Sequence, residues 1–112
     1  MTTNKDATRY YSDKQETYWA KFIKGKKTVS SGGAKFSAGD VITDDFIFEC
    51  KTTMTPKNSI SIKHDWIMQN EKERMSLLKP YSAVVFNFEP DGKNYVIVDE
   101  DTFKKMYNKF KE

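Results

Sequence analysis

The fold is decided by residues 39–51, which read GDVITDDFIFECK. Two aspartates in the middle of this stretch separate two runs of β-branched and aromatic residues, a pattern typical of an antiparallel hairpin. An even-numbered loop at that break pairs Val41 with Phe48 and places Asp40 directly opposite Glu49. Opposed side chains in such a ladder have Cβ atoms about 4.5–5.5 Å apart, and like charges at that separation repel. We therefore expect a positive group between the two carboxylates.

Strand periodicity puts Glu49 and Lys51 on one face of the predicted sheet and turns Cys50 to the other face. Apolar residues accompany the charges on both faces, which predicts central strands that are covered on both sides. A divalent cation suits such a site, because Mg²⁺ binds hard oxygen ligands from one or two carboxylates. The backbone carbonyl of Cys50 is a candidate third ligand beside Asp40 and Glu49. The residue types are equally compatible with a surface hairpin that carries an ion pair between Lys51 and Glu49.

A helix is predicted ahead of the hairpin, over residues 12–24. Ser12 and Gln15 form a capping-box pattern at its start, and a glycine follows its end. Glu16 falls on the apolar stripe of this helix, which aims its carboxylate toward the sheet, where it must be paired or bound to metal. A first-turn glutamate favoured by the helix dipole is the alternative interpretation. The polar residues 1–11 are predicted to form a flexible N-terminal segment.

The remaining pattern predicts one α/β domain over residues 12–112, with the element order α-β-β-β-α-β-β-α. Besides the first helix and the hairpin, the predicted elements are a strand at 28–30, a helix at 61–78, strands at 82–88 and 94–98, and a helix at 99–110. The last helix is expected to begin with Asp99 or Asp101 as its cap. The two later strands are joined by a turn with the sequence PDG.

Residues 24–35, KGKKTVSSGGAK, combine a basic turn with a loop of serines and glycines. Small hydroxyl residues and glycines allow a backbone to approach a phosphate closely. A solvated basic face is the other interpretation of the lysines. The segment is therefore a candidate phosphate contact.

Asp40 followed by Glu49-Cys50-Lys51 resembles the Asp...Glu-x-Lys signature of the PD-(D/E)xK nuclease superfamily. The resemblance extends to Glu16 in the first helix, to TVSSGG at 28–33 and to SISIKHDWI at 59–67. Together these features are similar to the small Holliday junction resolvase-type proteins of phages and archaea. The resemblance covers roughly residues 12–100.

The resemblance implies a restriction-endonuclease-like αβββαβ core, a central mixed sheet flanked by helices, with an extra strand and a C-terminal helix. It also implies metal-dependent hydrolysis of DNA. Asp40 and Glu49 would hold Mg²⁺, for which Mn²⁺ is a substitute. Lys51 would orient the attacking water, and Glu16 would complete a second metal position.

The resemblance further implies DNA contacts on both sides of the hairpin. Resolvase-like proteins have a serine ahead of the aspartate that contributes to catalysis or phosphate contact, and Ser31 is the first candidate for it and Ser30 the second. Lys27 and Lys35 are assigned to DNA binding, although the family often has arginines here and lysines lose bidentate phosphate recognition. Lys63 is expected to contact the DNA backbone.

Composition permits this function without requiring it. The chain of 112 residues has 19 Lys and Arg against 16 Asp and Glu, a net charge of +3 that allows nucleic acid as a partner. No apolar run is long enough to span a membrane and no signal-peptide core is present, so a cytoplasmic protein is expected. His64 is the lone histidine, so a histidine-metal nuclease or a serine-histidine hydrolase lacks its parts.

The small size of the chain leaves little beyond the core for reading base edges in the major groove. Branched DNA such as a four-way junction is therefore the preferred substrate, and two symmetric cuts imply a homodimer. A nicking or repair nuclease of the same superfamily and a non-catalytic DNA-binding module on this fold are the alternatives. Aromatic residues make up 14% of the chain, which suits either a dimer interface or base stacking, and the sequence does not separate the two.

Overall fold

The computed structural model describes residues 4–28 and 40–112. In chain order its elements are α1 (Asn4–Ile23), β1 (Lys26–Lys27), β2 (Val41–Ile42), β3 (Phe46–Lys51), α2 (His64–Ser76), β4 (Tyr81–Phe86), β5 (Tyr95–Ile97) and α3 (Glu100–Phe110). This is the predicted order, and the predicted α/β class is confirmed. No helix within the described ranges is both long and apolar enough to cross a membrane.

The five described strands form one mixed sheet in the order β1-β2-β3-β4-β5. The β2–β3 hairpin has the predicted register, in which Val41 pairs with Phe48 and Ile42 with Ile47. Thr43 tightens the turn, because its Oγ1 accepts hydrogen bonds from the backbone N–H groups two and three residues later, at 3.3 and 3.0 Å. Local pattern alone therefore predicted the pairing of this hairpin correctly.

β4 lies parallel to β3 over six residue pairs, from Phe46 with Tyr81 to Lys51 with Phe86. Parallel neighbours need a crossover connection, and α2 supplies it. β1, β2 and β5 are antiparallel to the strands they adjoin. β3 is consequently an interior strand with a neighbour on each side.

The main core lies between α1 and one face of the sheet. It is an apolar cluster of buried residues: Trp19, Ala20, Val41, Phe48, Cys50, Ala83 and Val85. α2 packs on the other face, where the buried Asn70 donates from Nδ2 to the Ala83 carbonyl at 3.0 Å and approaches the Ile47 carbonyl at 3.4 Å. Both faces of β3 are thus covered, as the apolar residues on either side of the charges predicted.

The first helix is longer than predicted. α1 begins at Asn4, so residues 4–11 are helical where the sequence predicted a flexible segment. The expected capping box does not form, because Ser12 lies inside the helix and not at its start. Gln15 is buried and donates from Nε2 to the Lys51 carbonyl at 2.9 Å. Upstream, Thr8 Oγ1 donates to Met54 Sδ at 3.0 Å, a tertiary contact that favours extension of the helix toward its N-terminus.

Other boundaries shift by a few residues. α2 begins at His64, because the backbone of Lys63 is extended (φ −83°, ψ 130°). β1 lies just ahead of the predicted strand at 28–30, of which only Thr28 belongs to the described residues. α3 has the expected cap, since Asp99 Oδ1 accepts a hydrogen bond from the Thr102 N–H at 2.7 Å.

The end of α1 provides a stability test. Lys24 adopts a left-handed conformation (φ 59°), and Gly25 N donates to the Ala20 carbonyl at 2.8 Å. A Cβ at Gly25 would lie 2.6 Å from the Ile42 carbonyl oxygen. We expect Gly25→Ala to lower the free energy of unfolding by about 1–3 kcal/mol, because β2 must move to admit the methyl group. Urea unfolding measures the change.

Lys24→Gly is the matched control for that substitution. We expect it to leave the stability unchanged or slightly raised, because glycine adopts a positive φ without steric cost. Wild-type stability of Gly25→Ala would contradict the close approach of α1 and β2.

Candidate functional site

The candidate site is built around the second half of β3. Lys51 Nζ lies 3.2 Å from Glu49 Oε1, so these side chains share a face as predicted. The buried thiol of Cys50 belongs to the core on the opposite face. Burial raises the pKa of that thiol, which keeps it protonated and unsuited to bind a metal. At Cys50 only the backbone can serve the site.

The hydrogen bonds that join Asp40 to β3 differ from the predicted pairing. The paired residues of the hairpin end at Val41 and Phe48, and Asp40 N donates to the Phe48 carbonyl at 2.8 Å, one residue out of the regular pairing. The Asp40 carboxylate instead accepts a hydrogen bond at Oδ2 from the Cys50 N–H, at 2.8 Å. Asp40 is therefore held next to Glu49 by its side chain and not by direct cross-strand opposition.

Burial makes these carboxylates difficult to ionise. For Glu49, burial is the largest cause and the charge of Asp40 the next, and together they raise its pKa to about 7 against the opposing effect of Lys51. Burial also raises the pKa of Asp40, opposed by the hydrogen bond from Cys50 N–H and by the charge of Lys51. One lysine thus leaves the negative charge of the pair only partly compensated.

α1 adds a third carboxylate. Burial is the largest cause and the charge of Asp40 the next, and together they raise the pKa of Glu16 to about 7 against the opposing effect of Lys27. Glu16 lies in the fourth turn of α1, which begins at Asn4, so the first-turn interpretation of Glu16 no longer applies. The inward aim predicted from the helical stripe is the interpretation that agrees with these electrostatics.

α2 contributes two residues that sequence reasoning missed. Lys51 Nζ lies 4.7 Å from the ring centroid of Trp66, a cation–π contact. The charge of Glu73 raises the pKa of both Asp40 and Glu49. Trp66 and Glu73 are seven residues apart and so lie on one side of a helix. The seven-residue spacing could have indicated that both side chains face the candidate site, but the apolar residues of this helix indicated core packing alone.

Gln15 is the third residue that sequence reasoning missed. Its Nε2 donates to the Lys51 carbonyl at 2.9 Å and to Asn94 Oδ1 at 3.2 Å. The side chain therefore ties α1 to the end of β3, at Lys51, the residue that carries the predicted catalytic ammonium. Gln15 lies four residues before Trp19, on the apolar side of the helix. An amide in that position indicates a buried hydrogen bond, and this was the signal in the sequence.

The remaining predicted residues do not join this cluster. Lys27 Nζ contacts Asp13 Oδ1 and lies 3.1 Å from Thr17 Oγ1, so it is held against α1. Lys63 is exposed at the start of α2. Ser30, Ser31 and Lys35 lie outside the described residues, and their predicted roles stay predictions.

The chemistry of the donor atoms fits a hard divalent cation. Asp40 and Glu49 supply carboxylate oxygens, the ligands that Mg²⁺ and Mn²⁺ prefer, and the Cys50 carbonyl and Glu16 are further oxygen donors. Within the described ranges, no group of three or more His, Cys, Asp or Glu side chains is arranged to hold a metal ion. Asp40 and Glu49 are two carboxylates, and one or two is the number that Mg²⁺ commonly takes from protein.

Comparison with protein-family models, with curated proteins and with solved structures finds no match to this chain. The assignment of the site therefore depends on its own contacts and electrostatics.

The raised pKa of Glu49 predicts a pH-dependent stability. Its pKa is about 7 in the folded protein against an ordinary value of 4.5, so between these values the folded protein holds a proton that the unfolded chain releases. The stabilising contribution is complete below about pH 4.5 and is lost as the pH rises through about 7. We expect Glu49→Gln to raise the free energy of unfolding at about pH 8, by up to about 3 kcal/mol, and to change it little at about pH 4.5.

Urea unfolding of both proteins in EDTA across this range measures the difference. Glu89→Gln, which makes the same chemical change at an exposed position after β4, should show no such dependence. A gap between Glu49→Gln and wild type that stays constant with pH would contradict the desolvation of Glu49.

Proposed function

We propose that this protein is a metal-dependent DNA endonuclease. The observation that carries the proposal is the partly buried pair of Asp40 and Glu49, whose pKa values are raised although Lys51 Nζ lies 3.2 Å from Glu49. An ion pair that served stability alone would lower the pKa of its carboxylates. Here the pair is destabilising when ionised, which is the behaviour expected of a functional site.

A divalent cation, Mg²⁺ or Mn²⁺, would supply the missing positive charge, and when bound it lowers the pKa of a bound water toward neutrality and offsets charge on a phosphate. Asp40 and Glu49 would hold it, with the Cys50 carbonyl as a further ligand. Glu16 approaches from α1 and would complete a second metal position. The raised pKa values predict that the site loads poorly while these carboxylates are protonated.

Lys51 is positioned from two sides. Glu49 Oε1 and the Trp66 ring both contact its ammonium, and its backbone carbonyl is held by Gln15. A fixed ammonium beside the carboxylates suits the orientation of an attacking water and the stabilisation of charge developing on the phosphodiester. Lys51 is therefore proposed as a catalytic residue, with Trp66 and Gln15 as positioning residues.

The DNA contacts belong to the proposal as well. Ser31, with Ser30 as the second choice, would contribute to catalysis or contact the phosphate, and Lys35 and the exposed Lys63 would contact the DNA backbone. Lys27 would have to exchange its contact with Asp13 for a phosphate. Exposed lysines fix the position of a duplex without reading its sequence. This favours recognition of DNA shape, and a four-way junction is the proposed substrate.

The proposal extends to the specific fold, for which the order of the elements is the support. The described order α1, β1, β2, β3, α2, β4 agrees with a restriction-endonuclease-like αβββαβ core, to which β5 and α3 are additions. A nicking or repair nuclease on that core is the second candidate function. A non-catalytic DNA-binding module is less favoured, because such a module has no use for carboxylates that destabilise the fold.

Cleavage by Glu49→Gln tests the function. We expect wild-type protein with Mg²⁺ or Mn²⁺ to cut DNA, and the variant to lose cleavage by at least about 100-fold because a metal-binding carboxylate is removed. Glu89→Gln, at an exposed position after β4, should cleave as wild type does. Gel assays on junction, flap, nicked and linear duplex DNA give the rates, and undiminished cleavage by Glu49→Gln would refute the assignment. A preference for linear duplex would exclude the junction-resolving function and favour a nicking or repair nuclease.

A homodimer is proposed from the surface of α3. Four residues, which we call the α3 stripe, are each at least half exposed at the helical spacing i, i+3, i+4, i+7: Phe103, Met106, Tyr107 and Phe110. The first turn of α3 is acidic and its last turn basic, with Glu100 and Asp101 at one end and Lys109 at the other. Two copies of α3 packed antiparallel about a two-fold axis would bring acidic starts near basic ends and bury both stripes.

Substitution of Phe110 tests this surface. Its side chain is 86% exposed, so Phe110→Asp removes little from the fold of one chain. We expect wild-type protein to sediment as a dimer and Phe110→Asp as a monomer, because the aspartate would place two buried charges in the interface. Asn108→Asp, which adds the same charge on the other side of α3, should remain dimeric. A wild-type monomer, or a Phe110→Asp dimer, would contradict the proposal.

A further inference from the structure

A cavity of about 550 Å³ lies between α1 and the turn that joins β4 to β5. Six of its lining residues matter here: Gln15, Tyr18, Trp19, Phe22, Lys93 and Asn94. The volume falls within the range of small-ligand sites in proteins. None of the roles derived above uses this cavity.

One wall of the cavity is a stack of aromatic rings on α1. The Tyr18 and Phe22 rings are 6.0 Å apart between centroids with an interplanar angle of 15°, and Trp19 and Phe22 are 5.3 Å apart at 29°. Trp19 is buried in the core, whereas Tyr18 and Phe22 are 57% and 64% exposed. The buried Trp19 ring supports Phe22, which in turn stacks with Tyr18, so the two exposed rings offer a surface on which a planar group can stack.

The inner end of the cavity is polar. Gln15 Nε2 and Asn87 Nδ2 approach Asn94 Oδ1 at 3.2 and 3.5 Å, and Thr52 Oγ1 donates to Asn87 Oδ1 at 2.7 Å. Gln15 and Trp19 are only 7% and 5% exposed, yet Gln15 Oε1 and Trp19 Nε1 have no hydrogen-bond partner among the described residues. A buried acceptor and a buried donor without partners are costly, and the amide and hydroxyl side chains around them suit this end of the cavity to a ligand with both donors and acceptors.

The cavity adjoins the candidate site. Gln15, which lines it, is bonded to the Lys51 carbonyl and is followed in the chain by Glu16. Thr52, which follows Lys51, also lines it, and Lys93 adds a cation to its wall. A ligand here would lie against the end of β3 that carries Lys51.

We infer that this cavity binds an unpaired nucleobase of the DNA substrate. The base would stack on Tyr18 and Phe22 and turn its hydrogen-bonding edge toward Gln15 and Asn94, with a phosphate near Lys93. An aliphatic ligand would match the apolar wall but leave the amide end unsatisfied, whereas a planar heterocycle with donors and acceptors satisfies both. The inference rests on the proposed nuclease function and specifies it, because junctions and flaps present unpaired bases at the branch point.

Tyr18→Ala tests the inference, with Tyr10→Ala as the matched control. Tyr10 is on the same helix, is 59% exposed and does not line the cavity. Binding is measured in EDTA, so that no cleavage occurs, with a junction that carries one unpaired 2-aminopurine at the branch point and with the same junction abasic at that position. Adenosine monophosphate is the third probe, because a free nucleotide offers the same chemistry from another source.

We expect wild-type protein and Tyr10→Ala to bind the 2-aminopurine junction about 5- to 30-fold more tightly than the abasic one, with quenching of the 2-aminopurine fluorescence. Tyr18→Ala should lose that preference and the quenching while it still binds the abasic junction as wild type does. Far-ultraviolet circular dichroism confirms that both variants are folded.

Equal wild-type affinity for the two junctions, with metal-dependent cleavage intact, would overturn the base site and leave the nuclease proposal standing. If the protein binds adenosine monophosphate but neither junction, the cavity takes a free nucleotide and the inference that it binds a base of DNA is wrong. Absence of both DNA binding and cleavage in wild-type protein would overturn the proposed function, and this inference with it.

Discussion

The enclosure of β3 is the constraint on which the rest of the structure depends. The strand pairs with β2 along one edge and β4 along the other, while α1 and α2 cover its two faces. Such a strand shields its side chains from most of the solvent, and Glu49 and Lys51 keep only 22% and 32% of their side-chain surface exposed. The same packing that stabilises the sheet therefore sets the electrostatics of the candidate site.

Desolvation explains why the charged residues behave as a unit. Glu49, Asp40 and Glu16 each have a raised pKa, and the charge of Asp40 contributes to the shifts of the other two. Lys51 opposes the shift of Glu49 without removing it. The fold thus carries a local destabilisation that a bound cation would relieve, a cost accepted at functional sites and rarely elsewhere.

α1 connects the core, the candidate site and the cavity. Trp19 packs against Phe48 with ring centroids 5.5 Å apart, Glu16 approaches Asp40, and Gln15 holds the end of β3. Tyr18 and Phe22 form the cavity wall on the same helix. A ligand that stacks on these rings would bear directly on the helix that positions Glu16, which gives ligand binding a physical route to the carboxylates of the candidate site.

The sequence by itself determined the α/β class, the order of the elements, the hairpin register and the common face of Glu49 and Lys51. These features follow from periodicities of two and 3.6 residues and from local turn and cap residues such as Thr43 and Asp99. Only the tertiary structure decided where α1 begins, because the helix continues back to Asn4, eight residues ahead of the local capping pattern at Ser12, and contacts Met54 through Thr8. It also decided that the Trp66 ring contacts Lys51 and that the charge of Glu73 acts on Asp40 and Glu49. Interactions between elements distant in sequence depend on how the helices pack across the sheet.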